Sequence, residues 1–200
     1  ARVCARTGYS NSGQSCISVQ RVYVQRDRFA EFAEALTAEV AKLRVVRWTA
    51  EAAAGGARVM LGGTRDGAVM HPTVVAAPPA TASVVVHEVF GALVAVLPYD
   101  TFGEVIETCN ASRYGLQAGL FTRDIGRIIT AWRELQVGGL VVNGSSNFRL
   151  DHVPFGGVKD SGFGRESPRW MIDDYTVVKT LLLRGASVFG EASAFGEEGA

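Results

Sequence analysis

Apolar and polar positions along the chain change period repeatedly. The segment "RVYVQ" (Arg21–Gln25) alternates and is rich in β-branched and aromatic residues, which predicts a strand. Asp27 can cap a helix beginning near Arg28, and Phe29, Phe32, Leu36, Val40 and Leu43 then recur on one helical face. "ARVMLGG" reads as a second strand closed by glycines, and "HPTVVAAPP" as an extended edge segment ended by prolines. "ALVAVLPYD" is a continuous apolar run, the pattern of a strand buried on both faces. Thr101 with Glu104 three residues on forms a capping box, so "FGEVIETCNAS" starts a helix with Val105, Ile106 and Cys109 on one face. "LQAGLFT" is another strand, Asp124 caps the helix "IGRIITAWRELQ", and "GGLVVN" is the next strand. From Gly144 to Pro168 the chain is rich in glycine and has no hydrophobic period. A short helix is expected near Trp170, then a last strand at "TVVKTLLL" and a frayed acidic tail.

Strands alternating with helices predict an α/β fold: a mostly parallel sheet with helices on both faces. In such sheets sites form on loops at the carboxyl ends of strands. Two glycine-bearing loops, around Cys16 and around Gly156, are therefore the candidates. Composition narrows the picture further. Twenty basic residues balance twenty acidic ones, so no charged field points to nucleic acid or a membrane surface. No apolar run reaches the roughly 18 residues that span a bilayer. Three cysteines, Cys4, Cys16 and Cys109, are odd in number and far apart. That fits reduced thiols in the cytoplasm, and no Cys/His cluster has metal-ligand spacing.

Cys16 lies between a polar turn and a strand pattern, in "YSNSGQSCISVQRVYV". Either it packs where the strand begins, or the turn presents a reactive thiol. A free thiol is only a few per cent thiolate at neutral pH, and backbone N–H groups aimed at the sulfur can raise that fraction. The same N–H groups can hold an oxyanion. Cys109 sits on an apolar helical face and reads as core. In "HEVFG" a carboxylate, Glu88, stands two residues before an aromatic, Phe90. In an extended segment both side chains point to one side. The carboxylate suits ribose hydroxyls and the ring suits a flat heterocycle, but from these residues alone a solvated Glu beside a core Phe is the favoured reading. "VPFGGVKDSGFGRE" (Val153–Glu166) has glycines enough to cradle phosphate, yet matches neither a Walker loop nor G-x-G-x-x-G. A structural crossover, with Lys159 and Arg165 satisfying carbonyls or carboxylates, explains it as well.

The ordered set "NSGQSC", "HEVFG", "YGLQAGLFTRD", "GGLVVN" and "PFGGVKDSGFGRE" resembles the catalytic domain of the aldehyde dehydrogenase superfamily. The likeness runs from about Gly8 to about Leu183, with one gap after "LRVV". The resemblance implies oxidation of an aldehyde to a carboxylic acid, with NAD or NADP as hydride acceptor. Cys16 would be the nucleophile, giving a thiohemiacetal and then a thioester that water hydrolyses. Glu88 matches the family's ribose-contacting glutamate, Phe90 the phenylalanine beside the nicotinamide ribose, and Phe155 an aromatic lining the aldehyde pocket. The wording of the motifs is similar to members acting on small hydroxy- or phospho-aldehydes.

The pattern also departs from the family. Only 15 residues precede Cys16, so the upstream dinucleotide-binding domain, with the glutamate base and most cofactor contacts, is absent from the sequence given. Ala92 stands where the family usually has proline, and Val177 where relatives often place an acidic partner for the arginine matching Arg165. The expected organisation is a catalytic domain over residues 1–184, with an oligomerisation strand near 175–184 and a flexible tail over 185–200. Expected partners are a small aldehyde and either copies of the chain or a missing cofactor-domain half. Alone, the chain is expected to show little or no dehydrogenase turnover. Non-redox acyl transfer by Cys16, or a catalytically dead oligomerising remnant, are the competing readings.

Overall fold

The structure, a computed structural model, describes residues 1–40, 48–67 and 69–182. Helix α1 (Arg2–Gly8) leads into a 3-10 turn (Ser10–Gly13) and strand β1 (Arg21–Gln25). A second 3-10 turn (Arg26–Arg28) contains Asp27, and α2 begins at Phe29 and runs to Val40. There follow α3 (Trp48–Ala54), β2 (Arg58–Leu61), a small hairpin of β3 (Arg65–Asp66) and β4 (Val69–Met70), β5 (Thr73–Ala76), α4 (Ser83–Val86) and β6 (Leu93–Tyr99). The second half contains α5 (Phe102–Asn110), β7 (Tyr114–Gly115), β8 (Gln117–Leu120), α6 (Ile125–Glu134), β9 (Gly139–Val142), β10 (Val158–Lys159) and α7 (Pro168–Tyr175).

The main sheet has the order β1-β6-β5-β2. β6 runs parallel to β1 and β5, while β2 is antiparallel to β5 with a bulge between Val59 and Leu61. The apolar run in β6 is central, as expected, with Leu93 to Val96 at most 1% exposed. Leu93, Val94 and Val96 each contribute about 1.5–3 kcal/mol when taken from water. The edge assignment of "HPTVVAAPP" is corrected. All four residues of β5 are buried, and the strand is hydrogen-bonded on both sides. Pro72, Pro78 and Pro79 fall outside the ladder, so no proline has to donate to it.

Helix α2 packs on this sheet through Leu36 and Val40, with Phe29 and Phe32 against the same core. Leu43, assigned to that face, lies outside the described residues. The capping box of α5 is present, with Thr101 accepting from the Glu104 N–H at 3.2 Å. Asp124 caps α6 by accepting from the Arg127 N–H. β8 and β9 form a separate parallel pair, and β7 pairs with β10 antiparallel. The last predicted strand, expected at an oligomer contact, finds no partner within this chain's described residues. Residues 176–182 join no ladder, and Val177, Val178, Leu181 and Leu182 are 79–95% exposed. No described strand runs beside them, so their backbone groups have no sheet partner. The acidic tail lies outside the described residues. Among those residues no helix is long and apolar enough to cross a membrane.

Candidate active site

The Cys16 loop is built on tight, partly strained backbone. Asn11, Ser12 and Gly13 follow one another at φ +51°, +59° and +72°. Left-handed backbone costs a non-glycine residue about 1–2 kcal/mol. The Asn11 side chain offsets part of this by donating to the Gln14 carbonyl at 3.0 Å. A Cβ on Gly13 would overlap the Gly91 carbonyl, so only glycine lets the loop close on the "HEVFG" loop. Beyond it, the Ser18 N–H donates to the Ser15 carbonyl at 2.9 Å, making a turn with Cys16 at its tip. The buried Ser18 hydroxyl anchors the turn on the Gly8 carbonyl at 2.9 Å.

Cys16 is exposed, Cys109 half-buried and Cys4 buried. Burial pushes the Cys4 and Cys109 thiols above the ordinary range, against the pull of Arg21 and Lys159 on Cys109. Of the two readings of Cys16 from sequence, packing at the start of β1 is ruled out. Among the described residues, no backbone carbonyl accepts from the Cys16 N–H.

Glu88 and Phe90 stand exposed on the loop packed against Gly13. The premise that "HEVFG" is extended is corrected, because Phe90 has φ +48°. That left-handed residue turns the chain so that Gly91 meets Gly13, and it leaves the ring 48% exposed. The Val89 N–H donates to the Gln20 side chain at 3.2 Å, tying this loop to the start of β1.

Phe155 belongs to the glycine crossover, where it pairs by backbone with Glu166. The Arg149 guanidinium lies 4.6 Å over its ring and bonds to Glu166 at 2.9 Å. The loop carrying Arg149 reaches back to the cysteine. Ser146 donates to the Ile17 carbonyl at 3.0 Å, and Asn147 donates to the Thr7 carbonyl at 3.3 Å. Gln117 holds the loop open by donating to the Ser146 and Phe148 carbonyls at 2.7 and 2.6 Å. These bridging residues had no local signature in the sequence; their partners are up to 140 positions away. The structural reading of the crossover is the one observed. Lys159 donates to the Asn110 and Ser112 carbonyls, and Arg165 to those of Gly157 and Gly164.

Cys16 faces open surface. A depression of about 360 Å³ beside its loop is lined by Val3, Arg6, Thr7, Ser10 and Asn147. Among the described residues no group of three or more His, Cys, Asp or Glu side chains could hold a metal ion.

The exposed Cys16 and the Glu88–Phe90 loop thus stand on neighbouring loops of an α/β domain. The chain belongs to the aldehyde dehydrogenase family, whose model matches residues 1–47 and 44–181. The two matched stretches meet at the place where the sequence motifs showed a gap. A 3-sulfolactaldehyde dehydrogenase from Priestia aryabhattai is 40% identical, over 92% of this chain and 43% of its own length. The structure of a Bacillus cereus aldehyde dehydrogenase in complex with NAD+ superposes with a TM-score of 0.82. It is 30% identical, over 88% of this chain and 41% of that one. A glyceraldehyde-3-phosphate dehydrogenase from Methanocaldococcus jannaschii, complexed with NADP, gives a TM-score of 0.79 at 28% identity, covering 86% and 42%. The chain thus spans less than half the length of the relatives it matches.

Proposed function

We propose that the chain is the thiol-bearing half of an NAD(P)-dependent centre oxidising a small aldehyde. The observation that carries this reading is the exposed Cys16 at the tip of a turn locked against the Glu88–Phe90 loop. Cys16 attacks the aldehyde carbon, and its own N–H steadies the oxyanion of the resulting thiohemiacetal. Glu88 and Phe90 suit a nicotinamide cofactor, since a solvent-facing carboxylate and a half-exposed ring lie on one short loop beside the thiol loop. When bound, the cofactor supplies the hydride acceptor for the oxidation. Phe155 walls the aldehyde side, reached from Cys16 through the Ser146–Arg149 loop. Water activation and most cofactor contacts need residues outside the 200 given, from a longer chain or a separate half. The name of the Priestia relative favours a small hydroxy-aldehyde.

The thiol chemistry is testable on the chain itself, because acylation and alkylation need no hydride acceptor. Iodoacetamide should label Cys16 before Cys4 and Cys109, as read by peptide mass spectrometry. A small hydroxy-aldehyde should slow that labelling by occupying the sulfur reversibly. An activated ester should give a stoichiometric burst that is lost in Cys16→Ala. Equal labelling of the three cysteines, untouched by aldehyde, would sink the proposal.

A further inference from the structure

The turn that carries Cys16 is fixed through two rigid peptide planes. The Ser18 N–H donates to the Ser15 carbonyl at 2.9 Å. That carbonyl shares a planar trans peptide with the Cys16 N–H, and in such a unit the two bonds point in opposite directions. The bond from Ser18 therefore sets the direction of the Cys16 N–H. The Ser18 N–H in turn shares a plane with the Ile17 carbonyl, which accepts from the Ser146 hydroxyl at 3.0 Å. Ser146 thus holds the far end of a relay that runs through both planes to Cys16. The same loop also grips the end of α1. Asn147 donates to the Thr7 carbonyl at 3.3 Å, and the Ser18 hydroxyl bonds to that carbonyl at 3.2 Å.

Ser146 is itself held from the second half of the chain. Gln117 on β8 uses its side-chain amide on two carbonyls, Ser146 at 2.7 Å and Phe148 at 2.6 Å. Gly139, its register partner on β9, leaves room for this. A Cβ there would come within 3.2 Å of the Gln117 side-chain oxygen.

We propose that Ser146, held by Gln117, is a positioning residue that aims the Cys16 N–H at the oxygen of the attacked aldehyde. The inference rests on the reading of Cys16 as the nucleophile. In that step the C–S bond forms, the thiol proton passes to water, and the carbonyl π pair moves onto oxygen. The oxyanion then accepts from the Cys16 N–H. Alkylation by iodoacetamide expels iodide from a saturated carbon and develops no oxyanion, so it makes no use of that N–H. Ser146 therefore acts on carbonyl chemistry and leaves the thiol's general reactivity alone.

The two chemistries are separable on the purified chain. Ser146→Ala should weaken protection of Cys16 by glycolaldehyde about tenfold, a fraction of the roughly 10²–10³ that a whole oxyanion donor contributes. The burst with p-nitrophenyl acetate should slow by a similar factor, while the iodoacetamide rate at Cys16 changes little. Ser146→Thr keeps the hydroxyl and should restore both carbonyl reactions. Gln117→Glu sets carboxylate oxygens against the two carbonyls and should show the same split. Cys4 labelling should stay unchanged in every variant, as general loosening of the fold would not allow. The inference is overturned if Ser146→Ala changes carbonyl chemistry and alkylation in parallel, or changes neither, or if threonine fails to restore the loss. An unsubstituted chain with neither protection nor burst would overturn the nucleophile reading and this inference together. Protection and burst that are equal in the unsubstituted chain and in Ser146→Ala would overturn the positioning role alone.

Discussion

Helices α2 and α6 have closely similar apolar spacing and opposite fates. In α2 the residues Ala33, Leu36 and Val40, spaced by three and four, are fully buried against the four-stranded sheet. In α6 Ile125, Ile129 and Trp132, spaced by four and three, face solvent. The sheets behind them differ in the same way. β5 and β6 have hydrogen-bonded neighbours on both sides and bury their residues on both faces. β8 and β9 have only each other, and no residue of either strand is fully buried. An apolar period therefore shows that a helix has a face to hide, and the surroundings decide whether that face is hidden within one chain.

The largest expected effect breaks the well-packed half. Leu36→Ala should cost about 2–5 kcal/mol, measured by urea unfolding, whereas Trp132→Ala should change monomer stability by no more than about 0.5 kcal/mol. Equal costs would erase the contrast between the two helices. A smaller effect is expected at the junction of the halves. Thr101→Ala removes one side of the α5 capping box and should cost about 1 kcal/mol, with hydrogen exchange rising in α5 first. Exchange rising equally across β6 would mean that the two halves unfold as one unit. The smallest effect concerns the ends of β1 and β6, joined by Arg26 and Asp100 at 2.5 Å. The hydrogen bond from Arg26 holds the Asp100 carboxyl below its ordinary range. Such a group stabilises the fold above its unfolded value near 3.9, and the gain is lost as pH falls through the lowered folded value. Both side chains are exposed, so the gain is small. Arg26→Gln should flatten the acid limb of the stability curve and leave the neutral region nearly unchanged. An unaltered acid limb would show the pair to be inert.

Much of the fold was legible in the chain itself. The strand at Arg21–Gln25, the capping box at Thr101 and Glu104, and the Asp124 cap were all read correctly because each rests on contacts within a few residues. The family was legible for a different reason, a set of motifs in one order along the chain. Cys16 could be singled out, but its exposure could not, since a cysteine before a strand pattern packs inward as readily as it faces out. The failures have one form. Prolines near Val74 suggested an edge, but edge or centre depends on which strands arrive from elsewhere. Residues 176–182 have the composition of a strand but join no ladder within this chain. Glu88 and Phe90 were paired on the assumption of extended backbone, which Phe90 does not have.

What the amino-acid order determined by itself is local: where helices start, which segments favour extension, and which ordered motifs mark the family. The tertiary structure alone decided that Gly13 meets Gly91, that Ser146 reaches the carbonyl next to Cys16, and that the α6 stripe stays outside. Caps and periods are satisfied by neighbours a few residues away, where chain geometry leaves few choices. Burial and loop-to-loop hydrogen bonds need groups up to 140 positions apart, and only the assembled fold determines which of them meet.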